Sequence, residues 1–234
     1  MVTHSLVRLL QISLMFLVFA LSPLTAFSST IDLFFSEYIE GSSNNKALEI
    51  YNPSSASVDM SAYGIDIYNN GSSSPSIHIE LAGTIEPGDV FVLTHKKAID
   101  ALSAKSTQRS NKLSFNGDDA VVLARGTTIL DVVGVIGEDP GKFWGSGDTT
   151  TQDHTLVRNT SVLSGDSNVS DAFDPSTQWH GYPTNTFDFL GKHDVSAVPL
   201  PGALLLMLSG LLGMGVFNVL SKARQNTLGQ PMMT

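Results

Sequence analysis

Residues 29–194 of this 234-residue chain predict an all-β fold, an antiparallel sandwich. Three observations carry that prediction. Apolar and polar residues alternate strictly in short runs: Ile65 and Ile67 against Asp66 and Tyr68, then Ile77, Ile79 and Leu81 against His78 and Glu80. A period of two puts one strand face on a core and the other in water. The runs are separated by turn-forming clusters at Asn52-Pro53, Asn69-Asn70-Gly71, Pro87-Gly88-Asp89 and Asn116-Gly117-Asp118. No long helical period interrupts them, and many short strands with regular turns build a sandwich.

The expected strands, in order, are Asp32–Tyr38, Ala47–Tyr51, Tyr63–Tyr68, Ser76–Leu81, Val90–Thr94, Ala120–Ala124, Thr128–Val135 and Thr155–Arg158. Glu37 and Glu49 fall on or beside strands, and Asn52-Pro53 ends one of them: the Asn bonds its own backbone and the Pro stops the ladder. Lys96 to Lys105 reads as a short helix. Gly117-Asp118-Asp119 is a turn feeding the apolar strand that follows. Trp144 and Trp179 sit in Gly/Asp/Pro-rich segments and are expected to plug sheet edges from loops.

The two ends read differently. His4 and Arg8 precede an almost wholly apolar run, Leu9 to Leu24, and Ala26-Phe27-Ser28 has the small–x–small pattern of a cleavage site. Residues 1–28 are therefore expected to be a signal peptide. At the other end, residues 195–234 form a tail in which no charge occurs from Val195 to Ser221. Leu200 to Leu220 would span about 31 Å as a helix, enough to cross a bilayer. Lys222 and Arg224 follow, the cations that stay on the cytoplasmic side when the body is exported. Gly210, Gly213 and Gly215 are the small residues that membrane helices accept.

The string from Val198 to Arg224 resembles a PEP-CTERM-type sorting tail in its VPLPA variant, with Val198, Pro199, Leu200 and Pro201 as the motif and Gly202 where Ala is usual. That resemblance implies processing by an exosortase-like enzyme in the inner membrane. The two prolines keep the motif extended ahead of the helix.

The middle region resembles the bacterial lamin-tail domain (LTD) family, which implies an immunoglobulin-like β-sandwich. The residues that carry the resemblance are Phe34 to Ser55, Glu86 to Leu93, Phe115 to Leu123, Asp153 to Arg158 and Asp171 to Asp194. The last stretch lies beyond the minimal sandwich and is similar to an extension of exported bacterial members.

Composition narrows the function. The chain has a net charge of -9. Residues 29–194 hold all 22 acidic residues and 10 of the 13 basic ones, which leaves -12. Such a field repels a phosphate backbone. With no Cys there is no disulfide, thiolate zinc site or cysteine nucleophile. No GxSxG elbow, HExxH or Walker A loop occurs, and Gly145-Ser146-Gly147 is a tight loop. His78, His95, His154, His180 and His193 are scattered. No catalytic residue is assigned and an enzyme is not expected.

Two binding patterns remain. Asp166, Asn168, Ser170 and Asp171 place oxygens in one short loop, partly similar to a calcium loop; Ca²⁺ is the only cofactor considered. Asp118, Asp119, Glu138, Asp139 and Asp148 lie in further acidic loops. Lys96, Lys97, Lys105, Arg109 and Lys112 form the best basic strip.

The resulting expectation is an exported, non-enzymatic binding or structural module, anchored in the membrane by its tail or released by processing to the cell surface or matrix. Its partners would be signal peptidase, an exosortase-like enzyme and a surface polysaccharide or protein, with nucleic acid less favoured. The alternative is an accessory domain of an exported hydrolase or nuclease system, tethering nucleic acid or substrate. That reading requires His154 or His180 to converge with carboxylates in a cleft.

Overall fold

The computed structural model describes residues 32–195. The expected signal peptide and most of the tail, including Val198, Pro199, Leu200, Pro201 and the Leu200–Leu220 span, lie outside the described residues. The chain divides into two units, Met1–His193 and Asp194–Thr234, and every element below belongs to the first. No helix among the described residues is long and apolar enough to cross a membrane.

Fourteen strands occur among the described residues: β1 Phe34–Glu40, β2 Lys46–Tyr51, β3 Val58–Asp59, β4 Tyr63–Tyr68, β5 Ile77–Glu80, β6 Thr84–Ile85, β7 Val90–His95, β8 Gln108–Ser110, β9 Ala120–Arg125, β10 Thr128–Val133, β11 Gly145–Ser146, β12 Thr149–Thr150, β13 His154–Arg158 and β14 Trp179–Pro183. A six-stranded sheet has the order β14-β13-β1-β2-β7-β8, and a four-stranded sheet the order β10-β9-β4-β5. Two further pairs, β3 with β6 and β11 with β12, close loops. The inner faces meet in one core: Phe35, Tyr38, Leu48, Ile50, Phe91, Leu93 and Leu156 from the larger sheet against Ile65, Ile67, Ile79, Val121, Leu123 and Val133 from the smaller. This is the two-layer sandwich that the alternation predicts.

Three expectations are corrected. The sandwich is not wholly antiparallel, because β8 runs parallel to β7. The expected Lys96–Lys105 helix shrinks to a single turn, Asp100–Ser103, whose first residue follows an uncapped Ile99. The chain must turn back at once to lay Thr107 and β8 along β7, which leaves no room for a longer helix. Trp179 is not in a loop but begins β14, the edge strand, and is buried in the core. Its Gly181 and Pro183 hide the strand from a propensity reading, yet an edge tolerates both. Trp144 is buried in a small cluster with Ala120 and Val135.

Two bulges break the period of two. In β1 the register slips between Phe35 and Glu37, so Phe35 faces Ile50 while Glu37 faces Glu49. Without the extra residue, Glu37 would point inward with Phe35; with it, Tyr38 enters the core and Glu37 turns outward. In β10 the slip between Ile129 and Asp131 sets Asp131 opposite the core residue Leu123. The carboxylate of Asp131 therefore points into the sandwich, where it pairs with the Arg158 guanidinium, both side chains being fully buried.

Candidate binding site

Two sheet edges, β5 and β8, lie side by side at one end of the two layers, and the space between them is an open cleft of about 440 Å³. His78, Ile79 and Glu80 form one wall; Gln108, Arg109, Ser110 and Lys112 form the other. The β5 wall follows from alternation: Ile79 is buried in the core, so His78 and Glu80 project to solvent. His78 bonds through Nδ1 to the carboxylate of Asp66, 2.6 Å away on β4. Its ring lies over Gly64, where an added Cβ would come within 2.7 Å of His78 Cε1. Gly64 thus makes the space that lets the imidazole lie across the strand.

The β8 wall is tied to the β5 wall by one side chain. Gln108 donates from Nε2 to the Glu80 carbonyl at 2.9 Å and accepts from the Ala82 N–H at 3.0 Å. The Lys112 ammonium donates to the His78 carbonyl at 3.3 Å. The Arg109 guanidinium donates to the Lys96 carbonyl at 2.6 Å and to Ser103 Oγ at 3.0 Å. These bonds fix the cations without neutralising them. Ion pairs among the described residues include Lys46–Glu40, Arg125–Asp32 and Arg158–Asp131, beside the His78–Asp66 contact. The basic strip takes part in none of them.

The structure splits that strip. Arg109 and Lys112 meet in the cleft beside His78. Lys96 and Lys97 are exposed in the turn after β7. Lys105 leaves the group and donates to the Leu190 carbonyl at 2.9 Å. His78 flanks Arg109 and Lys112 from a different sheet, a neighbour that no sequence pattern placed there.

The loop considered for calcium is occupied with itself. Asp166 Oδ1 accepts from the Asn168 N–H at 3.0 Å, and Asn168 Oδ1 accepts from Ser170 Oγ at 3.1 Å. These are successive side-chain turns. Asp171 is exposed beside them. Asp119, in one of the other acidic loops, accepts from the N–H groups of Asn116 and Asn70, each at 3.0 Å. No group of three or more His, Asp or Glu residues is placed to share a metal ion among the described residues.

The histidines stay apart. His154 Nδ1 lies 2.7 Å from the Gln152 carbonyl and 2.9 Å from Thr150 Oγ1. His180 is exposed on β14, and His193 packs against the rings of Phe34 and Tyr51. Burial lowers the pKa of His95, whose Nδ1 accepts from the Lys97 N–H at 3.0 Å.

Sequence reasoning missed one other group. Glu37 and Glu49 are side by side on the outer face of the larger sheet, each about 1 % exposed. Desolvation, then the neighbouring Glu49, push the Glu37 pKa up to about 9. Desolvation raises Glu49 to about 7, against hydrogen bonds from Gly191 and Ser36. The signal was available as two glutamates among apolar strand residues, but only the bulge in β1 puts them on one face.

The fold and the cleft define a β-sandwich domain with a polar opening between two sheet edges, basic on the β8 side and carrying Glu80 on the β5 side. Residues 26–137 match the model of the Lamin Tail Domain family, which supports a lamin-tail-domain protein. No curated protein and no solved structure matches the chain. The matched stretch runs past the end of β10, so it includes both walls of the cleft. It excludes β13 and β14, which complete the larger sheet beside β1.

Proposed function

We propose that the chain is an exported, non-enzymatic binding module that holds an anionic surface or matrix polysaccharide in the β5/β8 cleft. Residues 1–28 direct export, and the Val198-Pro199-Leu200-Pro201 tail anchors the sandwich in the membrane until an exosortase-like enzyme releases it. The observation that carries the binding reading is the meeting of Arg109, Lys112 and His78 in one open cleft, with no carboxylate among the described residues paired to Arg109 or Lys112.

Charge density selects the class of ligand. The domain carries -12 in all. A nucleic acid presents roughly one negative charge per 1.7 Å of duplex axis and would meet that field along its whole length. A uronic-acid polysaccharide, with at most one carboxylate per sugar, spaces its charges more widely than a duplex does and meets less repulsion over the same length. Arg109 supplies the planar fork suited to a carboxylate, and Lys112 a point charge beside it.

The test is calorimetric titration of the protein with polygalacturonate and with a neutral glucan. Binding is expected to the acidic polymer alone, weakening with added salt. The double substitution Arg109→Ala, Lys112→Ala should weaken it at least tenfold, about 1.4 kcal/mol. Equal binding of the neutral glucan, or no effect of the substitutions, overturns the assignment.

A further inference from the structure

The outer face of the larger sheet carries a row of neighbours, Glu37 on β1, Glu49 on β2 and Val92 on β7. Beside it lie Ile39 and Ala47. The short helical segment covers part of this face with Ala98 and Leu102, and the chain after β14 covers the rest with Phe187 and Leu190. That covering segment, Phe187 to His193, is a strap. It is pinned where it starts: Thr155 Oγ1 donates to the Thr186 carbonyl at 2.8 Å, and Asn45 Nδ2 donates to Asn185 Oδ1 at 3.0 Å. Farther along, its contacts to the face include the glutamate pair. Glu49 Oε2 accepts from the Gly191 N–H at 2.6 Å, and Glu49 Oε1 from Ser36 Oγ at 2.7 Å. Glu37, by contrast, has neither carboxyl oxygen hydrogen-bonded, although both are buried.

A carboxylate buried without a donor is far more costly than a buried carboxylic acid. Lys105 lies near both glutamates and favours their charge, while Asp188 on the strap opposes it at Glu37 and Asp89, in the turn before β7, opposes it at Glu49. His193, at the end of the strap, meets the rings of Tyr51 and Phe34 of the same face edge-on. One charge on the pair is accommodated at Glu49, which has two donors. A second has no partner at Glu37.

We propose that the strap Phe187–His193 is a proton-controlled latch, closed over the outer face while Glu37 holds its proton and lifted when both glutamates are charged. Lifting gives Glu37 water and exposes Ile39, Ala47 and Val92.

The sign follows from linkage. In the closed state both pKa values are raised from 4.5, to about 9 for Glu37 and about 7 for Glu49. The closed state therefore holds protons that the open state has lost, and closure weakens as pH rises. Between pH 7 and 9 the Glu37 proton alone is at stake, and the opening equilibrium should rise about tenfold per pH unit, then level off.

Amide hydrogen exchange of the full chain tests this, with rates corrected for the intrinsic pH dependence. Protection of the Gly191 amide, which donates to Glu49, should fall about tenfold per unit between pH 7 and 9 and stay well below that of the central strand β9 at every pH. Glu37→Gln should abolish the fall. Glu37→Met, which leaves no buried polar group, should do the same and covers the case in which the glutamine disturbs packing. Strap protection independent of pH overturns the latch, as does a fall that persists unchanged in both variants, or a Gly191 protection equal to that of β9 at every pH, which would mean that the strap opens only when the whole domain unfolds.

Discussion

Removing Asp131 should destabilise the sandwich more than removing its ion-pair partner Arg158. The carboxylate is fully buried and accepts from the backbone N–H groups of Phe35 at 2.8 Å, Asp166 at 2.8 Å and Val132 at 3.0 Å, besides the Arg158 guanidinium. It thereby ties β10 of one sheet to β1 of the other and to the loop after β13. Asp131→Ala leaves a buried guanidinium uncompensated, at about 3–5 kcal/mol, and orphans the Phe35 and Asp166 amides, at about 1–3 kcal/mol each. These contributions overlap, so the expected loss is about 5 kcal/mol. Arg158→Met leaves Asp131 with its three amide donors. The side chain also gives up bonds to the Phe35 carbonyl and Gln178 and its position 4.1 Å over the Trp179 ring. Methionine refills that volume, so about 3 kcal/mol is expected. Urea titration followed by circular dichroism at constant pH gives both values, and the corresponding fall in Tm for Asp131→Ala is about 10–20 °C. If Arg158→Met proves as damaging as Asp131→Ala, the carboxylate is not the hub described here.

Asn52 is fully buried and donates from Nδ2 to the carbonyls of Ala56 (2.9 Å), Ile85 (3.1 Å) and Glu86 (3.2 Å). Asn52→Ala should lower stability by about 3 kcal/mol, read as a shift in the urea midpoint. The isosteric Asn52→Asp should be no better, because it faces those carbonyls with a charge instead of donors. The stability of the whole domain should fall as pH rises from the ordinary 4.5 of a glutamate through about 7 for Glu49 and about 9 for Glu37, since the native state holds protons that the unfolded chain releases. Urea midpoints at pH 6 and pH 9 check this, and Glu37→Met should flatten the slope.

Much of the fold could be read along the chain. The strand Tyr63–Tyr68 stands where alternation put it, and the strands around Ile77–Glu80, Val90–His95 and Ala120–Arg125 differ from expectation by a residue or so at their ends. These are strands with one face in the core, where period two is enforced by burial. The short strands β3, β6, β11 and β12 and the edge strand β14 were not legible. Two or five residues carry no period, and Gly181 and Pro183 argue against a strand unless its place at an edge is known. The basic strip was legible as a cluster in sequence, but not its division between the cleft and the strap.

The sequence by itself determined the fold class, the acidic balance, the absence of thiol chemistry and the order of strand and turn. All of these depend on residue type and on neighbours within a few positions. Only the tertiary structure decided which side chains meet. The bulges after Phe35 and Ile129 reverse the facing of Glu37 and Asp131 by a single residue each. A one-residue change of register moves a side chain across a sheet at little local expense, so nothing in the local pattern announces it. The cleft likewise arises from two edges belonging to different sheets, and the strap from a segment 142 positions beyond the glutamate it covers. Such contacts are selected by the packing of the whole sandwich.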